Sequence, residues 1–196
     1  MKSQMSKSEM ELRSRFDFSK GVRGKFYERY MNGHTVTLLD GDPDEDDPLD
    51  LSTRQAGRHI FVSQVQAAGF KLAEPLSDES IDYLIYSAAG RNHELVSYAV
   101  KLKTSSSETF YLYKKYADIP RFLLVYVWNA LGPEENSVYA LTYEEALRIL
   151  EAKGYAKSDS WVRRGGFSVT HAGSELKKML EPFLMTRERW QQLQVA

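Results

Sequence analysis

Three ionisable side chains stand out because they lie in otherwise apolar stretches of the sequence. Asp82 occurs in the segment SIDYLIYS, and Lys101 and Lys103 occur in the segment YAVKLKTSSS. Ionised groups are seldom placed in apolar surroundings without an ion-pair partner or a chemical task. The pattern therefore predicts an ionic cluster. Its simplest form is an ion pair between Asp82 and either lysine, which would join two strands and contribute about 0.2–1 kcal/mol if exposed.

Two strands joined by a short turn would position this cluster. Residues 81–86 alternate with a period of two and are rich in strand-forming residues. The tripeptide GRN at 90–92 supplies turn residues, and residues 95–102 form the second strand. Because successive side chains of a strand lie on opposite faces, Lys101 and Lys103 are expected on the same face.

The remaining pattern predicts an α/β protein with a central mixed β-sheet flanked by helices. The apolar run at Phe122–Trp128 is typical of a strand covered on both faces. Thr142 and Glu145 have the spacing of a capping box, which predicts a helix that ends at Gly154. The other predicted elements are a helix over Gln55–Ala68 ended by Gly69, strands at Phe110–Tyr113 and Val138–Leu141, a strand-like segment over Trp161–Thr170 with a turn at Gly165–Gly166, and short helices over Ser174–Leu180 and Thr186–Leu193.

The first 52 residues differ in composition from the rest. Residues 40–50 contain seven aspartates or glutamates and two prolines. Repulsion between the carboxylates and the missing amide donors of the prolines favour a flexible linker over residues 40–52. This linker divides the chain into an N-terminal arm (1–39) and a domain (53–196). The arm combines basic and aromatic residues over Phe16–Gly33, a composition that suits nucleic acid or a protein partner. The sequence is also compatible with a homodimer.

The overall composition excludes several classes of protein. Hydrophobic residues make up 42% of the chain and charged residues 27%, and the net charge is -1. A nucleic-acid site would therefore have to be a local basic surface. The absence of cysteine excludes disulfides and thiolate metal sites. No apolar run approaches about 20 residues and no signal peptide is evident, so we expect a cytoplasmic protein without a membrane partner.

Residues 55–183 resemble the PD-(D/E)XK nuclease superfamily. The resemblance is carried by AGRHIFVSQVQAAGF, SIDYLIYS and YAVKLKTSSS, taken in this order. It implies a restriction-endonuclease-like fold, DNA as the partner, Mg²⁺ as the cofactor and phosphodiester hydrolysis as the reaction. On the matching positions, Asp82 would be the metal-binding acid, and Lys103 would steady the attacking water or the developing charge. Among other charged residues, Lys114, Lys115 and Arg121 are candidate phosphate contacts.

One position departs from the superfamily pattern. Lys101 lies where the superfamily has Glu, Asp or Gln, and an ammonium group repels Mg²⁺. No nearby residue is an evident substitute, because Glu94 has the wrong strand parity, Glu108 lies beyond the serine-rich loop and the first helix offers only Gln64.

Two functions are consistent with this departure. The first is a metal-dependent endonuclease, weakened or inactive because of Lys101. The second is a non-catalytic DNA-binding or antitoxin-like regulatory protein that uses the same fold. The segment FDFSKGVRGKFYERY also resembles the opening of small bacterial proteins of toxin–antitoxin type.

Overall fold

The computed structural model describes residues 48–75, 80–89, 94–132 and 134–194. The predicted N-terminal arm at 1–39, residues 40–47 of the predicted linker, and the predicted turn at 90–92 lie outside these ranges. The arm therefore stays a prediction.

The centre of the fold is a mixed five-stranded sheet, which confirms the predicted α/β class. Its strands are β1 (Lys71–Ala73), β2 (Tyr83–Ala89), β3 (Glu94–Thr104), β5 (Phe122–Trp128) and β6 (Ser137–Leu141), in the order β1-β2-β3-β5-β6. Strands β2 and β3 pair antiparallel, with Tyr83 opposite Val100. Strands β3 and β5 pair parallel, and the two outer pairs are antiparallel.

Strand β5 is buried along its whole length, as its apolar run predicts. Its alternate side chains belong to two separate apolar cores. Leu123, Val125 and Val127 lie in the first core, whereas Leu124 and Tyr126 lie in the second. The sheet therefore carries an apolar layer on each face, which explains why this strand shows no polar alternation.

Helix α1 (Pro48–Ala67) covers the first core with Phe61 and Val65. Its end is confirmed: Gly69 has φ 92°, and the Phe70 N–H donates to the Val65 carbonyl oxygen at 3.1 Å. The helix starts earlier than predicted. Residues 48–52 of the predicted linker belong to the helix. Proline suits the first helical position, because its missing N–H would have no helical acceptor there.

The second core lies between the large sheet and a smaller set of elements. Strands β4 (Phe110–Tyr113) and β7 (Gly166–Val169) form a separate antiparallel pair, so β4 leaves the main sheet. The predicted capping box at the start of the helix that follows β6 is confirmed. The Glu145 N–H donates to Thr142 Oγ1 at 3.2 Å, and the Thr142 N–H donates to Glu145 Oε2 at 2.8 Å. The helices after α1 are α2 (Tyr143–Ala152), α3 (Ser174–Leu180) and α4 (Arg187–Gln192).

The predicted strand over Trp161–Thr170 is wrong in its first half. Ser160–Arg164 form a π-helical turn that ends at Gly165, where φ is 73°, and only then does β7 begin. Ser158 stabilises the turn locally, because its carbonyl oxygen accepts from the Val162 N–H and its hydroxyl accepts from the Trp161 N–H. Among the helices that the structure describes, none has the length and apolar character needed to cross a membrane.

Candidate functional site

Asp82 lies directly before the first residue of β2 and contacts β3. Its N–H donates to the Val100 carbonyl oxygen at 2.8 Å, which continues the pairing by one residue beyond β2. Its Oδ2 accepts from the Leu102 N–H at 2.6 Å, and its Oδ1 accepts from Lys101 Nζ at 3.2 Å. Both carboxylate oxygens are therefore engaged by β3, and the expected ion pair forms with Lys101.

Lys101 and Lys103 lie on the same face of β3, as their spacing predicts. They stand opposite Leu124 and Tyr126 of β5, whose side chains belong to the second core. Lys101 is 6% exposed and Lys103 is 9% exposed. Lys103 Nζ lies 4.8 Å from the centroid of the Tyr111 ring, a cation–π distance. The aromatic face compensates part of the cost of burying this charge.

Helix α1 brings two arginines to the end of β3. Gly57 faces Thr104 so closely that a Cβ on Gly57 would lie 2.6 Å from the Thr104 Cβ. Only a glycine permits this approach. Arg54 and Arg58 are four residues apart and flank Gly57, so the close approach places both beside the strand end.

Arg58 is held by two neighbours. It forms an ion pair with Glu74, and its Cζ lies 5.8 Å from the centroid of the Tyr83 ring. Burial raises the pKa of the Tyr83 hydroxyl, although the nearby Arg58 charge acts in the opposite direction. Sequence reasoning missed both arginines. The available signal was their spacing around a mid-helix glycine, which usually marks a packing contact.

These side chains surround a pocket of about 240 Å³. Among the described residues that line it, four carry positive charge and one carries negative charge. The surroundings therefore favour an anionic ligand over a cation. The described lining consists of Arg54, Arg58, Asp82, Tyr83, Lys101, Leu102, Lys103 and Thr104.

The described residues do not fit a Mg²⁺ site. Mg²⁺ requires oxygen ligands at about 2.0–2.1 Å in octahedral geometry. Asp82 is the only carboxylate in the described lining, and the Lys101 ammonium occupies the space in front of it. Over the described ranges, no group of three or more histidine, aspartate or glutamate side chains could hold a metal ion.

Gln64, Glu108 and Glu94, the nearest alternatives to a ligand at position 101, occupy other places in the fold. Gln64 accepts a hydrogen bond from Trp190 Nε1 at 3.1 Å and so anchors α4 to α1. Glu108 forms an ion pair with Lys177. Glu94 lies at the start of β3, at the opposite end of the strand from Lys103. None of these three residues belongs to the described lining of the pocket.

The three candidate phosphate contacts are not among the described residues that line the pocket. Lys114 and Lys115 follow β4 directly, in a short 3₁₀ turn over Lys114–Tyr116. Arg121 precedes β5 with φ 50°, and its carbonyl oxygen accepts from the Ala99 N–H at 3.1 Å. All three side chains are exposed.

The fold and the site together define an α/β protein with a cationic pocket at the end of a β-hairpin. Comparison of the chain with protein-family models, with curated proteins and with solved structures gave no significant match.

Proposed function

We propose that this protein binds nucleic acid by its phosphate backbone at the Asp82 pocket, and that it binds without hydrolysing. One observation carries the proposal: among the described residues that line the pocket, four are cations and one is a carboxylate, Asp82, which pairs with Lys101. The described lining therefore has a net positive charge, which favours a phosphate group.

The types of cation in the pocket suit a phosphodiester. Arginine presents a planar fork that can donate two hydrogen bonds to one phosphate, and lysine acts as a point charge. Arg54 and Arg58 come from a helix, whereas Lys101 and Lys103 come from a strand, so a phosphate between them would be approached from two sides. Because neutralised phosphates release counterions, binding should weaken steeply as salt rises.

The resemblance to PD-(D/E)XK nucleases supports the same proposal. Asp82 and Lys103 come from the two strands of one hairpin and line one pocket, and a helix lies across its edge. We propose a restriction-endonuclease-like architecture in which Lys101 has replaced a metal ligand. On this interpretation, the DNA-binding surface of a nuclease is retained and its metal site is lost.

A weakened endonuclease is the second candidate function. It is favoured by the joint presence of Asp82 and Lys103 in one pocket. It requires Mg²⁺ ligands from outside the described residues, because those within them do not form a site.

The two functions are separated by measuring binding and cleavage on the same protein. Fluorescence anisotropy with labelled single-stranded and double-stranded oligonucleotides should show binding in EDTA that Mg²⁺ does not improve. Lys103→Gln should weaken binding by roughly tenfold, the loss of one charged contact. Lys71→Gln, on the exposed edge of β1, is the matched control and should leave binding unchanged.

A plasmid-nicking assay in Mg²⁺ or Mn²⁺ tests whether the protein is an endonuclease. We expect no nicking by the wild-type protein. Nicking that Asp82→Ala abolishes would establish the endonuclease instead. Absence of binding to every oligonucleotide would refute both candidates.

A further inference from the structure

A row of cations and aromatic rings leads out of the Asp82 pocket along β4. Lys103 Nζ lies 4.8 Å from the Tyr111 ring centroid, the Tyr111 and Tyr113 centroids are 5.6 Å apart, and Lys115 Nζ lies 5.5 Å from the Tyr113 centroid. We call these four residues the β4 row. They lie close together because Tyr111 and Tyr113 share one face of β4.

The outer end of the β4 row is held in place by its neighbours. Lys115 Nζ also lies 5.4 Å from the Tyr116 ring centroid, so two aromatic rings hold one exposed ammonium group. The Tyr113 ring rests on the backbone of Gly166, the residue opposite it in β7, where any Cβ would overlap the ring. A lysine held in this way loses less side-chain freedom when it binds an anion than a lysine on an open surface does.

We propose that the outer end of the β4 row, at Lys115, is a second phosphate-binding site for the same nucleic-acid strand. The inference rests on the proposed function of the pocket. The two ammonium groups of the β4 row are no more than about 16 Å apart. This upper limit corresponds to at most about five nucleotides at the 3.4 Å spacing of a stacked strand, and to fewer in an extended single strand. An oligonucleotide that fills only the pocket is too short to reach Lys115, and a longer one reaches both.

The proposed contact is electrostatic and joins the Lys115 ammonium group to a phosphate. Tyr111 is buried and Tyr113 is half-buried, so these rings position cations and do not serve as platforms for stacked bases. One residue earlier, Lys114 Nζ lies 5.2 Å from the ring centroid of Trp161 in the π-helical turn, and its N–H donates to the Gly165 carbonyl oxygen. Lys114 is thus held towards a different part of the surface from Lys115.

The experiment compares oligothymidylates of about two and about twelve nucleotides. The wild-type protein should bind the longer one more tightly by about tenfold or more, beyond the statistical gain in sites. Lys115→Gln should abolish this gain, leave binding of the short oligonucleotide unchanged, and reduce the slope of log K against log salt by about 0.7 for the long one. Lys71→Gln is the charge-matched control and should keep the full gain.

A second variant tests the positioning by aromatic rings. Tyr113→Leu keeps every charge but removes one ring beneath Lys115, and it should reduce the length-dependent gain by about two- to fivefold. A full gain in Lys115→Gln, with short-oligonucleotide binding intact, would overturn the β4 row and leave the pocket proposal standing. If the wild-type protein binds neither length, the pocket proposal fails and the β4 row fails with it.

Discussion

At the scale of single residues, Lys101 decides what the pocket can do. A carboxylate at this position would face Asp82 across the hairpin and could share a cation with it. The lysine instead forms an ion pair with Asp82 at 3.2 Å, while only 8% of its side chain and 34% of the Asp82 side chain are exposed. Because Asp82 is partly solvated, we expect this pair to stabilise the fold only modestly. Its larger effect is to place an ammonium group beside the carboxylate, where it would repel a divalent cation.

Reversing this charge should create metal affinity. In Lys101→Glu, two carboxylates would face each other, so the variant should be less stable than the wild type in EDTA. Addition of about 10 mM Mg²⁺ should then raise its Tm by roughly 3–6 °C for a Kd near 1 mM, because a ligand of the folded state alone stabilises that state. The wild-type Tm should not respond. Differential scanning calorimetry measures both.

Lys101→Met is the control for the charge reversal. It removes the ammonium group without adding a carboxylate, so its Tm should be insensitive to Mg²⁺. A Mg²⁺-dependent rise in the wild-type Tm that Asp82→Asn abolishes would contradict our account of this site.

At the scale of elements, the contact between α1 and the end of β3 assembles the pocket. Gly57 is buried against Thr104, and this contact sets where the arginines on either side of it lie. Glycine in a helix interior costs about 1 kcal/mol relative to alanine. Glycine is nevertheless favoured at position 57, because a larger residue would overlap Thr104 where α1 packs against β3.

Gly57→Ala should therefore destabilise the fold, although the same change normally favours a helix. The added methyl group overlaps Thr104, and such overpacking costs about 1–3 kcal/mol. Urea unfolding should show this loss, and nucleic-acid binding should weaken because Arg54 and Arg58 move outwards.

Two further variants distinguish crowding from helix propensity. Thr104→Ser removes the overlapping methyl group and should restore part of the stability of Gly57→Ala. Ser63→Ala, at an exposed position of the same helix, should be neutral or slightly stabilising. Equal stability of Gly57→Ala and the wild-type protein would mean that the helix does not depend on this approach.

At the scale of the whole molecule, the two apolar cores contain many tyrosines. Burial raises the pKa of the hydroxyl groups of several of them, most strongly that of Tyr126. The Tyr126 hydroxyl donates to the Tyr111 carbonyl oxygen at 2.5 Å, deep in the second core. In the described ranges, the tyrosines with raised pKa values are Tyr83, Tyr98, Tyr126, Tyr139 and Tyr143.

The fold should consequently lose stability in alkaline solution. Above about pH 10 the unfolded chain releases phenolic protons that the folded chain retains. The unfolded state then binds fewer protons, so the free energy of unfolding falls as pH rises from about 10 through the raised folded pKa values. Urea unfolding between about pH 8 and pH 11 measures the fall, and phenolate absorbance should show tyrosines that ionise only on unfolding.

Tyr126→Phe provides the matched variant for this prediction. It should lose about 1 kcal/mol at neutral pH with its hydrogen bond, but its stability should decline less above about pH 10. Ionisation of every tyrosine near pH 10 while the protein stays folded would contradict the assigned burial.

Much of the architecture follows from the sequence alone, because it depends on neighbours within a few residues. The Thr142–Glu145 capping box, the end of α1 at Gly69 and the burial of β5 on both faces are all local patterns that the structure confirms. Strand alternation likewise places Lys101 and Lys103 on one face. These features need no knowledge of distant packing.

Only the tertiary structure decides which distant segments meet. Strand β4 pairs with β7, more than 50 residues later, and so leaves the main sheet. Arg54 and Arg58 reach the pocket because Gly57 packs on Thr104, and the close approach of backbone and side chain has no local signature. The segment Ser160–Arg164 has strand-like composition, yet it bends where Trp161 is buried in the second core. Long-range packing overrides local preference at these places because it removes more apolar surface from water than local propensity can offset.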